Sequence, residues 1–380
     1  MDVSIRECRS YDLSECRAAL EAVLSPIGGL EWVRPGMRIA VKANLVSFMK
    51  PDAAATTHPA LLCALSEILT ARGAEVIIGD SPGGIYNSVY VNRVYAATGM
   101  KQVERYGAKL NQDYSQKTAE FPEAKAAKAF QYTAWLDKSD AIIDFCKLKS
   151  HGMMAMSAAA KNLFGVIPGT MKPEYHFKYP DHMDFARMLV DLNEYFKPRL
   201  CIVDAVVGME GNGPTMGTPR PIGAILAGGS PHKVDLACAR ILGYERREVP
   251  TLEAALERGL IPPTVQELEV DGDLDSFIVP DFERMECKGI LFQDVFASPL
   301  GRRLSPFLRR YLASRPKVHK DECIGCKKCF DICPAKAITM KKGKPTIDRK
   351  ACIRCFCCQE FCPKGAMKVE RPPLAKLLNK

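Results

Sequence analysis

The chain has 380 residues of ordinary globular composition, 47% hydrophobic and 26% charged, a length that fits two or three domains with sizeable cores. No apolar run is long enough to span a bilayer, and the opening MDVSIRECRSYDLSEC lacks the apolar stretch of a secretory signal, so no transmembrane segment and a cytoplasmic, reducing location are expected. The net charge of +9 is concentrated late: residues 316–380 carry sixteen Lys and Arg against six Asp and Glu. A basic tail raises nucleic acid as a partner, but no aromatic stacking platform accompanies it. An acidic redox partner protein, or compensation of bound anionic groups, is the better reading.

In chain order, residues 38–42 (RIAVK) read as a buried strand that releases Lys42 and Asn44 into a loop. Thr57-His58-Pro59 opens a helix that Gly73 stops, and residues 75–79 (EVIIG) form a second strand ending at Asp80 and Ser81. This is a βαβ unit. Residues 88–106 read as helix, 120–130 as surface, and 141–145 (AIIDF) as a third strand, followed by a loop with Lys147, Lys149 and His151. A run of small residues then carries Lys161 before the Pro168-Gly169 turn. Helix 182–196, strand 200–203 leading to Asp204 and Glu210, strand 222–227 and helix 231–242 follow, with a weaker helix and strand in 251–278.

Alternating strands and helices imply an α/β domain with a largely parallel sheet, whose ligands bind beyond the carboxyl ends of the strands. Those ends present Lys42, Asn44, Asp80, Ser81, Lys147 and Glu210 as ligand-binding candidates, joined by Arg220 from an adjacent loop. Lys149, His151, Lys161 and Asp204 are the catalytic candidates, because a partly buried amine or imidazole titrates near neutrality. Any one of them is as easily a solvated charge; recurrence at several strand ends favours a site for a small anionic substrate. The glycines after Asp204 match neither a P-loop nor a dinucleotide fingerprint, so neither ATP nor NAD is expected.

The most specific signal is the tail. CIGCKKCFDICP and CIRCFCCQEFCP each contain C-x2-C-x2-C-x3-C-P, the spacing of two-cluster iron-sulfur domains in which the fourth Cys of one run ligates the other cluster. Cys323, Cys326, Cys329 and Cys362 are expected to hold one [4Fe-4S] cluster, and Cys352, Cys355, Cys358 and Cys333 the other. Zinc would call for paired Cys with a longer gap or His, and disulfides for an oxidising compartment. Cys357 breaks the spacing and reads as a small buried thiol. Residues 296–316 have apolar residues at helical spacing interleaved with Arg302, Arg303, Arg309 and Arg310. They read as a basic amphipathic helix that docks the two domains, with a membrane-surface helix as the alternative.

VKANLV at 41–46, THPALLCALSEILTARGAEVIIGDSPGG, KLKSHGMMAMSAAAKNLFGVIPG and DAVVGMEGNGP together resemble the family called domain of unknown function 362, whose members are often fused to a two-cluster ferredoxin domain. The resemblance covers residues 38–240 and brings no settled activity with it. A fainter similarity, to the nickel-pincer lactate racemase family, rests on a strand, helix, strand opening and a lysine before a Pro-Gly turn, which places Lys161 at the matching position. It covers too few residues to carry that cofactor. The expected architecture is an α/β domain over 1–295, the linker helix 296–316, and a small α+β ferredoxin-like domain over 317–380. The expected function is an iron-sulfur oxidoreductase acting on an anionic substrate, the alternative a non-enzymatic electron carrier or assembly factor that docks a partner protein. Two-electron chemistry from one-electron clusters would call for a further flavin or other organic cofactor, which no motif identifies.

Overall fold

The computed structural model describes residues 1–285 and 314–370. Linker residues 296–313 lie outside these, while Arg315 and Pro316, read above as the end of the linker helix, open a β-strand.

The α/β part begins with β1 (Val3–Glu7) and α1 (Leu13–Leu24), neither assigned from sequence. It continues through β2 (Arg38–Ala43), α2 (Pro59–Thr70), β3 (Glu75–Gly79), α3 (Ser88–Ala97), β4 (Lys109–Leu110) and a hairpin of β5 (Gln116–Glu120) and β6 (Ala129–Thr133). That hairpin brackets the stretch 120–130 read as surface, which forms mostly its connecting loop. Then come β7 (Ala141–His151), β8 (Ala155–Ser157), the short helices α4 (Ala159–Asn162) and α5 (Lys172–Lys178), and α6 (His182–Phe196). The remainder is β9 (Leu200–Glu210), β10 (Thr218–Gly228), α7 (Pro231–Ile241), α8 (Pro250–Leu256) and β11 (Val270–Asp271).

These strands form one sheet in the order β11-β1-β10-β9-β7-β2-β3-β4, with β8 added to β7. The run β9-β7-β2-β3-β4 is parallel, and β10 and β1 extend it antiparallel. Side-chain alternation sorts the core onto two faces. On β7, Ile143 and Phe145 face the layer of α1 and α2, whereas Cys146 and Leu148 face α6, α7 and α8. Helix α6 shows why its segment is helical: Phe185, Met188, Leu189 and Leu192 recur on one buried face, and the Asp181 carboxylate accepts the Met183 and Asp184 N–H groups at its start.

The main departure from the sequence reading is β7. Its strand runs six residues past Phe145 to His151, so Lys147, Lys149 and His151 lie on a strand, not on a loop. Pairing with β9 on one side and β8 on the other supplies the backbone partners, despite a register shift between Lys147 and Lys149. Strand β9 likewise reaches Glu210, well beyond the expected end at residue 203.

The cysteine-rich part is an internal pseudo-repeat. Strand β12 (Arg315–Val318) pairs with β15 (Met367–Glu370), and β13 (Ile338–Lys341) pairs with β14 (Lys344–Ile347). Short helices cover Lys328–Asp331 and Cys357–Glu360. Both halves place left-handed backbone at the same steps: Gly325 and Arg354 before the second Cys, Lys327 and Phe356 after it, and Lys336 and Gly365 after the Cys-Pro. Non-glycine residues rarely adopt φ near 60°. Repeating it at matched positions curls each loop around a common centre.

Candidate functional site

Two cavities lie in the cysteine-rich part. One is lined by Cys323, Cys326, Cys329 and Cys362, the other by Cys333, Cys352, Cys355 and Cys358. The structure thus brings the fourth Cys of each run to the first three of the other. All described cysteines are free thiols, and among the described residues no three His, Cys, Asp or Glu converge as they would on a single metal ion. Backbone amides point at the sulfurs: Gly325 N–H donates to Cys323 Sγ at 3.5 Å and Ala337 N–H to Cys333 Sγ at 3.3 Å. Four thiols around a cavity, with amide donors to sulfur, fit a four-iron cluster in each. The first cavity is the outer one, with Cys326 exposed and Ile324 61% exposed beside it. The second is inner, with Cys355, Cys357 and Cys358 buried.

The helix Cys357–Glu360 lies against the carboxyl ends of the α/β sheet. Gln359 Nε2 donates to the Asn212 and Gly213 carbonyls, each at 2.9 Å, and Thr215 Oγ1 donates to the Glu360 carbonyl at 3.0 Å. Phe356 joins the main core of the α/β part. Gly83 and Gly152 permit the close approach: a Cβ on Gly83 would meet Phe361 at 2.9 Å, and one on Gly152 would meet Val369 at 3.1 Å.

At this seam Glu360 Oε1 stands 3.0 Å from Nε2 of the buried His151. His151 Nδ1 accepts the Met153 and Met154 N–H groups at 3.0 and 3.1 Å, so the neutral ring carries its proton on Nε2, facing Glu360. Burial, reinforced by Lys161, lowers the His151 pKa to about 4. Burial alone would raise Glu360, but His151 and Lys161 outweigh it and hold the carboxylate ionised. Lys161 is itself shifted downward by burial, opposed by Glu360 and Cys357, and its ammonium lies 5.7 Å from the centre of the Phe164 ring.

Around this pair the strand ends supply further cations. Lys42 is held by Asp80 at 2.8 Å, directly beneath Gly165, where a Cβ would sit 2.3 Å from the carboxylate. Lys149 donates to Asn44 Oδ1 at 2.6 Å and the Ala55 carbonyl at 2.7 Å. Lys172 donates to the Ser81 and Ile167 carbonyls at 2.6 and 2.7 Å, and Ser81 Oγ in turn accepts the Gly169 N–H. The loop that frames these groups is strained: the β-branched Val46 has φ 53°, and its carbonyl accepts the Gly83 N–H.

Burial, with Lys161 and Lys147 nearby, lowers Lys149 to about 7; burial lowers Lys172 to about 7 as well. An unfolded lysine keeps its proton to near pH 10, so between these values the unfolded chain binds more protons than the folded one. Stability therefore rises with pH across that window and falls as the buried amines must charge below it. Lys149→Met is expected to flatten the rise by about 1 kcal/mol per pH unit, measured by denaturant unfolding of anaerobic protein between pH 7 and 10. An unchanged slope would contradict the assignment.

Not every candidate reaches this cluster. Lys147 and Asp204 are partners in register on β7 and β9, fully buried at 2.6 Å. Tyr11 accepts from Lys147 at 2.8 Å and donates to Asp204 at 3.0 Å, and its ring stacks on His58 at 3.5 Å. The second Asp204 oxygen accepts the His58 N–H. Asp204, expected to be catalytic, is thus enclosed in a structural knot. Glu210 and Arg220 form a 3.6 Å pair on neighbouring strands, with Arg220 also bound to Asp281. Conversely, Glu360, Lys172 and His176 belong to the site. Glu360 is hidden inside the cysteine motif, and no local pattern singles out Lys172 or His176.

Residues 39–240 match the family described as Domain of unknown function (DUF362), and residues 315–363 match a 4Fe-4S dicluster domain. A thylakoid-associated protein of Synechocystis is 32% identical over 273 residues, 70% of this chain and 82% of that protein. Among solved structures, the lactate racemase apoprotein of Thermoanaerobacterium thermosaccharolyticum aligns with TM-score 0.41 and 11% identity over 62% of this chain and 56% of its own. A protein from Thermotoga maritima aligns with TM-score 0.35 and 13% identity over 57% of this chain and 55% of its own. The chain spans just over half the length of both structures. No helix among the described residues is long and apolar enough to cross a membrane. With a family match over more than half its length, the chain belongs to the DUF362 family and carries a 4Fe-4S dicluster domain beside that region.

Proposed function

We propose that this protein is an iron-sulfur oxidoreductase that holds two [4Fe-4S] clusters and reduces a small anionic substrate at the strand ends of its α/β domain. The observation that carries this reading is the seam: the four-residue helix that provides Cys358 also presents Glu360 to His151 at 3.0 Å. When bound, the clusters supply single electrons at low potential. Lys161 and Lys172 attract and orient the anion and stabilise negative charge as it develops. Lys149, lowered to about 7, is the proton donor near neutrality, and the neutral His151, oriented by Glu360, shapes the site beside it. The exposed rim around Ile324, on a lysine-rich surface, suits an acidic redox partner. A cytoplasmic setting agrees with the free thiols of the described cysteines.

The test uses anaerobic holoprotein, chemically reduced and then mixed with a panel of small carboxylate and phosphate oxidants, with cluster reoxidation followed by visible absorbance. At least one anion is expected to reoxidise the clusters, and Lys161→Met to slow this about 100-fold with the cluster EPR spectrum unchanged. If no small molecule accepts electrons and only an acidic protein does, the carrier or assembly-factor alternative replaces this reading.

A further inference from the structure

The charges at the seam do not balance. Lys42 has Asp80 as a partner. Lys149 and Lys172, however, donate only to neutral oxygens, those of Asn44, Ala55, Ser81 and Ile167. Lys161 has no hydrogen bond or ion pair with a described residue and rests only on the Phe164 ring. Against these three lysines stands one carboxylate, Glu360. Asp144, next to Lys42 in register, is fully enclosed, and burial raises it to about 8, toward its neutral form. Buried amines without counter-charges shed their protons or draw in an anion; with all three lysines protonated, this site is about two negative charges short.

A second observation is independent of charge. His176 Nδ1 is buried and has no hydrogen-bond partner among the described residues. Native proteins leave few such atoms unsatisfied, and those they do leave call for an explanation. This one lies within the electrostatic reach of Glu360, Lys161 and His151 at the seam. His176 is held there by stacking on Phe185 at 4.4 Å.

Building on the substrate site proposed above, we infer that this site binds a small dianion, such as a dicarboxylate or a phosphate group, in preference to a monocarboxylate. Two negative charges meet the lysines left without a counter-ion, and one of the ligand's oxygens meets His176 Nδ1. Glu360 then disfavours a third charge and sets an upper limit on the anion.

The experiment is calorimetric titration of anaerobic holoprotein with malonate, inorganic phosphate and acetate at low ionic strength. Malonate or phosphate is expected to bind at least tenfold more tightly than acetate. Lys161→Met and Lys172→Met should each weaken the dianion about thirtyfold, and Lys161→Arg should keep it within a few-fold. Equal binding of acetate overturns the inference. So does a Lys161→Met protein that binds the dianion normally but has a shifted cluster potential, because the lysines would then serve the cluster alone. Neither malonate nor phosphate is reduced, so the outcome is separate from the oxidoreductase test: dianion binding without electron transfer sinks only the proposed reaction, and electron transfer to monoanions sinks only the dianion preference.

Discussion

Cys355→Ser is expected to lower the iron content of anaerobically reconstituted protein from about eight to about four per chain and to loosen the seam between the two parts. Cys355 lines the inner cavity and is flanked by the left-handed Arg354 and Phe356. Phe356 is embedded in the α/β core, and Gln359 is tied to the Asn212 and Gly213 carbonyls. A cube at this cavity fixes the loop that aims all of these groups. Cys326→Ser, on the outer cavity, should cost the same iron while leaving the seam intact, because none of the seam contacts comes from that loop. Iron and sulfide analysis reads the first effect, and amide exchange over residues 207–217 reads the second. Equal loosening by both variants, or by neither, would refute the link between the inner cavity and the seam.

The other large effect is expected away from the site. Asp204→Ala leaves Lys147 buried without its counter-ion, and it removes the acceptors of the Tyr11 hydroxyl and the His58 N–H. Breaking a buried pair on one side costs about 3–5 kcal/mol. Denaturant unfolding of the anaerobic variant should show a loss of that order, and Asp204→Ala combined with Lys147→Met should recover part of it. A loss under about 1 kcal/mol would mean that the pair is not the enclosed structural unit described here.

Much of the architecture was legible because its signals are local. The parallel strands announced themselves as short apolar runs, and α6 by its apolar period and its Asp181 start. The cysteine spacing indicated which thiols come together, since two-residue gaps leave little freedom. Strand length was less legible. Polar residues such as Lys147, Lys149 and His151 look like loop in isolation, and only pairing with β8 and β9 keeps them extended. The candidate site divided along the same line. Lysines at strand ends were visible one by one, but their partners lie far along the chain: Asp204 is opposite Lys147 by register, and Glu360 is opposite His151 by the docking of the cysteine-rich part. No local pattern distinguishes a lysine neutralised by a distant aspartate from one left to meet a ligand. Glu360 carried a faint signal, an acid between the third and fourth cysteines of the second run, which its metal-ligand neighbours overshadowed.

The wall that closes the lysine-lined strand ends comes from residues near 360, whereas the lysines themselves lie between residues 42 and 172. The helix that follows the inner cavity's loop is the one that presents Glu360 to His151. On the function proposed above, cluster insertion would then be the final step of site assembly, so that a chain able to hold its ligand would also be one already wired to reduce it.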